Sequence, residues 1–380
     1  MIKILQPISL KATATSVKMV NHLLEATHHD FWLETQSAQT LTCQPPLDIG
    51  TTPSENQLFF GSPAAQPNKS YTFPAGYIAA LPHSRLVGEG YVVMSGRNEV
   101  ITESFSGDQV LQNGGHFLRQ QLKIDLGGGQ QAVPFILFRT QNPPRLIDQT
   151  CLLPTHYWHF NYHHWLIECM PRLRLALEEP AFANCPVIVP ATLSPFQKET
   201  MQLLGLSADR LLPFNGGDWQ FRNLIFPSIG TFAPQELRWV RNKFLAAIEA
   251  RGNADGLYYI TRRDTTNRQV INEDEVATFL QKQGFQIITL TELSFSKQLE
   301  LFASARVVIG PHGAGLTNML FAPSTATLIE LIPDDQVNHC FWLIANAVGH
   351  RYTFLAGQTM NAQRDFTVSL ERLRQALRMI

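Results

Sequence analysis

Cysteine is scarce and carries no pattern. The chain of 380 residues holds five, at Cys43, Cys151, Cys169, Cys185 and Cys340, scattered, odd in number and without a CxxC pair. Neither a disulfide framework nor a cysteine zinc site has that spacing, and a reducing compartment is the expectation. An imbalance of charge is also missing. Thirty basic residues meet 31 acidic ones, for a formal net charge of -1, so no long-range field draws the chain to nucleic acid or to an acidic membrane. No uncharged apolar run is long enough to span a bilayer. The opening MIKILQPISL has one Lys but no long apolar core and no small-residue cleavage site. The expectation is a cytoplasmic protein without signal peptide or transmembrane segment, with peripheral attachment at the inner membrane left to a partner. No internal repeat or low-complexity tract stands out.

What is present is a globular composition, 44% hydrophobic and 16% charged, on a chain too long for one ordinary core, which predicts two domains. Residues 1 to about 150 hold turn formers (QPPLDIGTTPSENQ, GSPAAQPNKS, SGRNEV, NGG, LGGGQ) around short apolar runs such as GYVVM and AVPFILF. That pattern predicts a β-rich segment with long loops. From about 151 the texture changes to alternation. Helices are expected in 165–179, in 194–206 with Ser194 as cap, and in a long stretch 233–252 that bridges two domains and ends at Gly252. Strands are expected in 185–190 and 223–228. The last third is the clearest doubly wound pattern: strands in 256–263, 285–290, 306–310 and 326–331 alternate with helices in 272–284, 294–305, 314–322 and 338–349 before a terminal helix.

Three stretches concentrate chemistry. VVIGPHGAGLTNMLFAPSTATLIEL (307–331) joins two buried strands by a loop carrying Gly310, His312, Gly313 and Gly315. Glycines admit close approach of a ligand to the backbone, and a helix start favours phosphate. The spacing is not GxGxxG, and Glu330 ends the next strand where such folds often hold a ribose hydroxyl. The plain alternative is a tight turn with a capping His. THYWHFNYHHWLIECMPRLRL (155–175) packs His156, His159, His163 and His164 among aromatic residues. His159 and His163, four apart, have metal-ligand spacing, but no Glu follows His159 in the HExxH manner. His164 and Glu168, also four apart, share a helical face and suit acid–base work, with burial expected to raise the Glu pKa. The alternative is a surface pair worth a few tenths of a kcal/mol. YITRRDTTNRQVINEDEV (258–276) delivers Arg262, Arg263 and Arg268 from a strand end, suited to a diphosphate. Asn272 is a natural N-cap, and Glu273, Asp274 and Glu275 are assigned to the helix dipole.

Together these stretches resemble glycosyltransferase family 61, whose bacterial capsule-type branch is the most similar, over roughly residues 150 to 360. The resemblance implies a GT-B fold. In it, 1–150 is a β-rich part of the acceptor-side domain, 151–232 the Rossmann-like acceptor side, 233–360 the Rossmann-like nucleotide-sugar side and 361–380 a C-terminal helix. It implies inverting transfer of a hexosyl or pentosyl group from a nucleotide-sugar, UDP-linked, to a glycan or lipid-linked glycan, with no cofactor and no required metal. By the same resemblance the base is Glu168 or His164, with Glu168 standing where many members have Asp. Substrate contacts come from Arg262, Arg263, Arg268, Asn272, His312, Gly313, Ala314, Gly315, Asn318 and Glu330, and from Asn161, His163 and Arg172 beside the catalytic pair. Two other readings stay open: a metal-dependent hydrolase using the histidines, and a silent nucleotide-sugar or glycan binder. Residues 1–150 are left for acceptor binding or homo-oligomer formation.

Overall fold

The computed structural model describes residues 18–20, 31–34, 39–47, 68, 70–73, 76–97, 99–101, 104, 143–228, 232–248, 253–335 and 338–380. The expected turns at 113–115 and 126–130, the run AVPFILF and the cap at Gly252 lie outside them.

Among the described residues two large sheets carry the fold. The first has ten strands and is mixed. Its middle strand, Asp218–Pro227, pairs antiparallel with Tyr77–Pro82 and Arg85–Val87, and parallel with Arg145–Leu152. Arg145–Leu152 leads on in parallel to Val187–Pro190, and that strand to Leu211–Phe214. The expected strand at 223–228 starts five residues earlier, at Asp218, because Trp219 and Phe221 already face the core. Where described, the N-terminal segment is β-rich, and GYVVM supplies Val92–Met94. It is not a separate layer. Arg145–Leu152 runs across position 150, so the early strands and the later α/β strands share one sheet. That mixing departs from the expectation of two Rossmann-like halves, since hairpin-type strands feed antiparallel edges that βαβ crossovers alone do not make.

The second sheet has six strands, Gly256–Ile260, Gln286–Ile288, Ala305–Pro311, Thr327–Pro333, Arg351–Thr359 and Phe366–Thr367. Counted in chain order they lie 2-1-3-4-5-6, parallel except for the last. Thr327–Pro333 is buried throughout, as a parallel strand covered on both faces must be. The order reverses between the first and third strands. Ligands of such sheets bind in the crevice at the carboxyl ends of the strands where this reversal occurs. Here the Arg-rich loop leaves the first strand and the glycine-rich loop leaves the third, so two of the three sequence stretches meet at that point.

Within the expected long helix, Pro234–Leu245 packs on helix Met170–Leu177 and on helices Phe295–Ala303 and Cys340–Val348. One apolar cluster runs beneath both sheets, from Trp165 and Val189 through Phe244, Phe295 and Phe321 to Leu328. Those three phenylalanines meet edge to face at 5.1–6.2 Å. Losing Phe295, 1% exposed, would cost about 3–5 kcal/mol. No helix among the described residues is long and apolar enough to cross a membrane. All five cysteines are free.

Candidate active site

The His-rich stretch is not one uniform helix. Asn161 caps it, its Oδ1 accepting from His163 N at 2.9 Å. One α-turn, Tyr162–His164, passes into a π-turn, Trp165–Cys169, and then into helix Met170–Leu177. Pro171 has no N–H for the carbonyl four residues back, and just before it Met170 N–H donates to Trp165 O, five back. Single π-turns inside helices are frequent at functional sites. This one seats Glu168, 5% exposed, against two imidazoles. Its Oε2 lies 3.0 Å from His164 Nδ1 and 3.0 Å from His156 Nε2. The His164 contact is an aligned hydrogen bond, whereas the His156 approach lacks that alignment. Burial raises the carboxyl pKa, but the two histidines outweigh burial and hold it well below the usual range. The expectation of a Glu168 pKa raised toward neutrality is therefore overturned: the sequence pairs the carboxylate with His164, and only the fold adds His156.

His164 is the more open partner, its side chain 28% exposed and stacked on Trp158 with centroids 5.7 Å apart. Its Nδ1 faces the carboxylate, which fixes the tautomer with the proton there and leaves Nε2 as the acceptor. The other histidines separate. His163 packs on Phe232 and Phe341 and bonds Thr317 Oγ1 through Nδ1 at 2.8 Å. His159 lies in the preceding 3-10 turn against Tyr91. Burial lowers their pKa values to about 3 and about 4. The ligand pairing of His159 with His163 is not realised, because one belongs to the turn and the other to the helix. Among the described residues no three His, Cys, Asp or Glu side chains converge as a metal site. Arg172 is fully buried, over the Phe226 ring and within 3.4 Å of Thr155 O. It stands behind the site rather than at a surface a substrate reaches.

The glycine-rich loop opens a 3-10 helix, Ala314–Phe321, where an α-helix was expected. Its glycines serve packing within the protein. A Cβ on Gly310 would crowd Ile260 at 3.1–3.2 Å, and one on Gly313 would fall 1.8 Å from Arg262 Nη1. Gly313 is thus the bare floor on which the Arg262 guanidinium lies. Ala314 and Gly315 are the half-buried, more accessible part of the loop. Asn318 is fully enclosed: it accepts from Tyr162 OH at 2.6 Å and donates to Gln298 and to Gly315 O. It therefore ties the glycine loop to the His-rich helix and is not a substrate contact. Glu330 is likewise 0% exposed. One oxygen meets His312 Nδ1 and the other accepts from Tyr352 OH at 2.7 Å. With both oxygens engaged, the expected ribose contact is lost, and Glu330 orients His312. His312 and His163 lie on the same Phe341 ring, at 5.0 and 5.8 Å, and the His163 ring meets that of His164 at 5.5 Å.

Among the arginines, Arg262 bonds Asn267 and Arg268 takes a left-handed conformation with its N–H on Gln363 O. Burial and then repulsion from Arg268 lower the Arg262 pKa to about 10. Both buried Nε donors lack an acceptor. Arg263 instead turns to Glu273 and Asp274, at 2.9 and 2.5 Å. Glu273, read as a helix-dipole residue, is buried and also accepts from Tyr259 and Thr261. Asn272 stands at the helix start, but its amide pairs with the Val368 backbone at 2.9 Å both ways instead of capping. Arg268 also lines an open groove of about 500 Å3 with Thr266, Asn267, Ala362, Gln363 and Arg364.

Sequence reasoning missed His156, Tyr352 and Arg364. His156 was visible in THYWH as an unassigned histidine. Tyr352 comes from a strand that was not expected, and Arg364 from a loop without a motif.

Residues 162–329 match the family model described as Glycosyltransferase 61. That stretch runs from the His-rich helix through the arginines and the glycine loop, and stops one residue short of Glu330. An EGF domain-specific O-linked N-acetylglucosamine transferase of Drosophila melanogaster is 39% identical over 97 residues, 25% of this chain and 18% of that protein. The alpha-1,3-arabinosyltransferase XAT3 of Oryza sativa subsp. japonica is 38% identical over 78 residues, 20% of this chain and 13% of its own. A beta-1,2-xylosyltransferase of Arabidopsis thaliana is 30% identical over 125 residues, 30% and 23%. The matched stretch spans less than a quarter of these curated relatives.

Proposed function

We propose that this chain, a glycosyltransferase family 61 protein through its residues 162–329, moves a sugar from a nucleotide-sugar to a hydroxyl acceptor, with inversion and without a metal. One observation carries the reading. Arg262 lies on Gly313, beside Arg268, at the reversal of strand order, and the buried Nε donors of both have no acceptor. Two guanidiniums that repel each other in a half-buried place are relieved by a diphosphate, which takes hydrogen bonds from both. Arg364 lines the same groove, with its Nε on Asp335 Oδ2 at 3.2 Å. A UDP-linked donor is the first to test.

The chemistry then follows from the two His–Glu pairs. His164 Nε2 takes the proton of the acceptor hydroxyl. The hydroxyl oxygen attacks the anomeric carbon from the face opposite the diphosphate, whose bond breaks with its electron pair going to the leaving group. Glu168 stabilises the imidazolium through Nδ1. Its carboxylate, held well below the usual range, is too weak a base to take the proton itself. In this reading the arginines neutralise the charge that develops on the leaving diphosphate, and each preorganised contact of this kind is worth roughly 2–4 kcal/mol in the transition state. His312, aligned by Glu330 and Tyr352, adds a further ring nitrogen on the donor side. A metal-dependent hydrolase is less well supported, because His159 and His163 go to separate partners while His156 and His164 both turn to Glu168.

Calorimetry with UDP, CDP, GDP and pyrophosphate in EDTA tests this. Binding is expected without divalent ions, with Arg268→Ala weakening the diphosphates more than free nucleosides. Binding only in Mg2+ or Mn2+, or equal weakening of diphosphate and nucleoside, would defeat it.

A further inference from the structure

We infer that the turn Tyr157–Phe160 is the acceptor subsite, an aromatic shelf that takes the face of a sugar ring. The inference rests on the reading of His164 as the base. Four consecutive residues, Tyr157, Trp158, His159 and Phe160, form a 3-10 turn that buries none of its side chains fully. Phe160 is 55% exposed, one of the few large apolar side chains at the surface among the described residues. Its ring touches those of Tyr157 and Trp158, at 5.9 and 5.5 Å, and Tyr157 and Trp158 meet at 5.1 Å. Trp158 lies flat on His164, tilted by 24°. The shelf therefore continues the imidazole that removes the acceptor proton.

Water-exposed aromatic surface of this kind costs free energy unless something covers it. The polar atoms point to what covers it. The buried Trp158 indole N–H has no acceptor, nor has His159 Nδ1 a partner, and a buried indole N–H ordinarily finds one. A sugar has both parts: an apolar face of C–H groups for the rings and a rim of hydroxyls for the orphan polar atoms. A peptide acceptor would present one hydroxyl and an amide backbone, and the shelf offers that backbone no matching row of donors and acceptors. The acceptor class assigned is a carbohydrate ring, docked so that one hydroxyl reaches His164.

The test uses the full chain with pyrophosphate present and saturation-transfer NMR with the methyl glycosides of glucose, galactose, xylose and N-acetylglucosamine. At least one should bind. Phe160→Ala, a change at an exposed position that leaves the fold intact, should weaken it by about tenfold. Trp158→Phe, which keeps a ring and drops the N–H, should weaken it by about threefold. Leu146→Ala, at an exposed apolar residue on a different element, should change nothing, and the pyrophosphate affinity should stay constant in all three. Failure of every glycoside to bind below about 50 mM, equal binding by Phe160→Ala, or binding of a threonine peptide in place of the glycosides overturns the shelf. Glycoside binding that obeys these expectations while wild-type protein ignores pyrophosphate would sink the donor reading and leave the shelf standing.

Discussion

Two pairs of the same residue types do different work in this molecule. His164–Glu168 comes from one helix, four residues apart, and His312–Glu330 from a loop and the next strand, eighteen apart. In each, a ring Nδ1 meets a carboxylate. The difference is the third partner and the exposure. Glu168 is shared between two imidazoles, and His164 keeps 28% of its side chain open. Glu330 is closed by Tyr352 and lies at 0% exposure, with His312 only 11% open. The first pair leaves a partly open ring. The second holds a ring in place. A His–Glu spacing thus says little about role until one knows what else touches the carboxylate and which ring nitrogen is left over.

Replacing His164 by Ala tests that comparison most severely. Turnover of whichever nucleotide-sugar stabilises the protein should fall by about 10²–10⁴-fold, with pyrophosphate affinity nearly unchanged and partial rescue by added imidazole. No rescue, together with a larger loss in Glu168→Gln that leaves its pH profile unmoved, would return the base role to Glu168. Arg268→Ala should weaken pyrophosphate by roughly 10–100-fold, measured by calorimetry. Gly313→Ala sharpens the same point from the backbone side. Its methyl would displace the end of a flexible Arg262 chain, so pyrophosphate should weaken by about tenfold while the melting temperature barely moves. A large loss of stability would show that Gly313 serves the fold and not the arginine.

The closed pair should answer differently. Tyr352→Phe leaves Glu330 Oε2 buried without its donor and should cost about 1–3 kcal/mol of stability in denaturant unfolding. A loss of turnover without a loss of stability would place Tyr352 nearer the chemistry than its burial allows. The pH dependence tests burial itself. His159, His163 and His350 have folded pKa values of about 4, 3 and 4, lowered chiefly by burial. The unfolded chain, with histidine near 6.5, binds protons first between about 6.5 and those values, so stability rises with pH across that window. The melting temperature should therefore drop steadily from pH 7 to pH 5. His350→Gln, away from the site, should flatten part of the slope. Glu168 adds its own loss only as the pH falls through the ordinary carboxylate range and below it. A melting temperature constant from pH 7 to pH 5 would show that these rings are not held neutral.

The sequence was most legible where pattern and packing agree. Strands 305–311 and 327–333 stand where apolar runs end in glycine or proline and 256–260 where one follows Gly256, and the alternation with helices foretold a parallel sheet. Arg262 lies against Gly313 of the glycine loop and beside Arg268, and His164 pairs with Glu168. Less legible was any feature that depends on a distant partner. Asn318, Glu330 and Asn272 looked like polar residues free to meet a substrate, yet each is spent on another part of the chain: on Tyr162, on His312 and Tyr352, and on the Val368 backbone. Arg172 looked like one more cation beside the catalytic helix and is enclosed.

By itself the sequence determined the α/β class, the order of elements in the last third and the residue types at the candidate site, because periodicity and turn chemistry are local properties of the chain. Only tertiary structure decided the rest. It joined the N-terminal strands to the later ones in a single mixed sheet, brought His156 to Glu168 through the π-turn, and set Arg262 on Gly313. It also sealed Glu330 behind Tyr352. Each of these is a contact between residues 12 (168 less 156) to 149 (227 less 78) positions apart, and their burial and pairing, not their identity, set which carboxylate is shared, which imidazole is open and which arginine donors lack an acceptor.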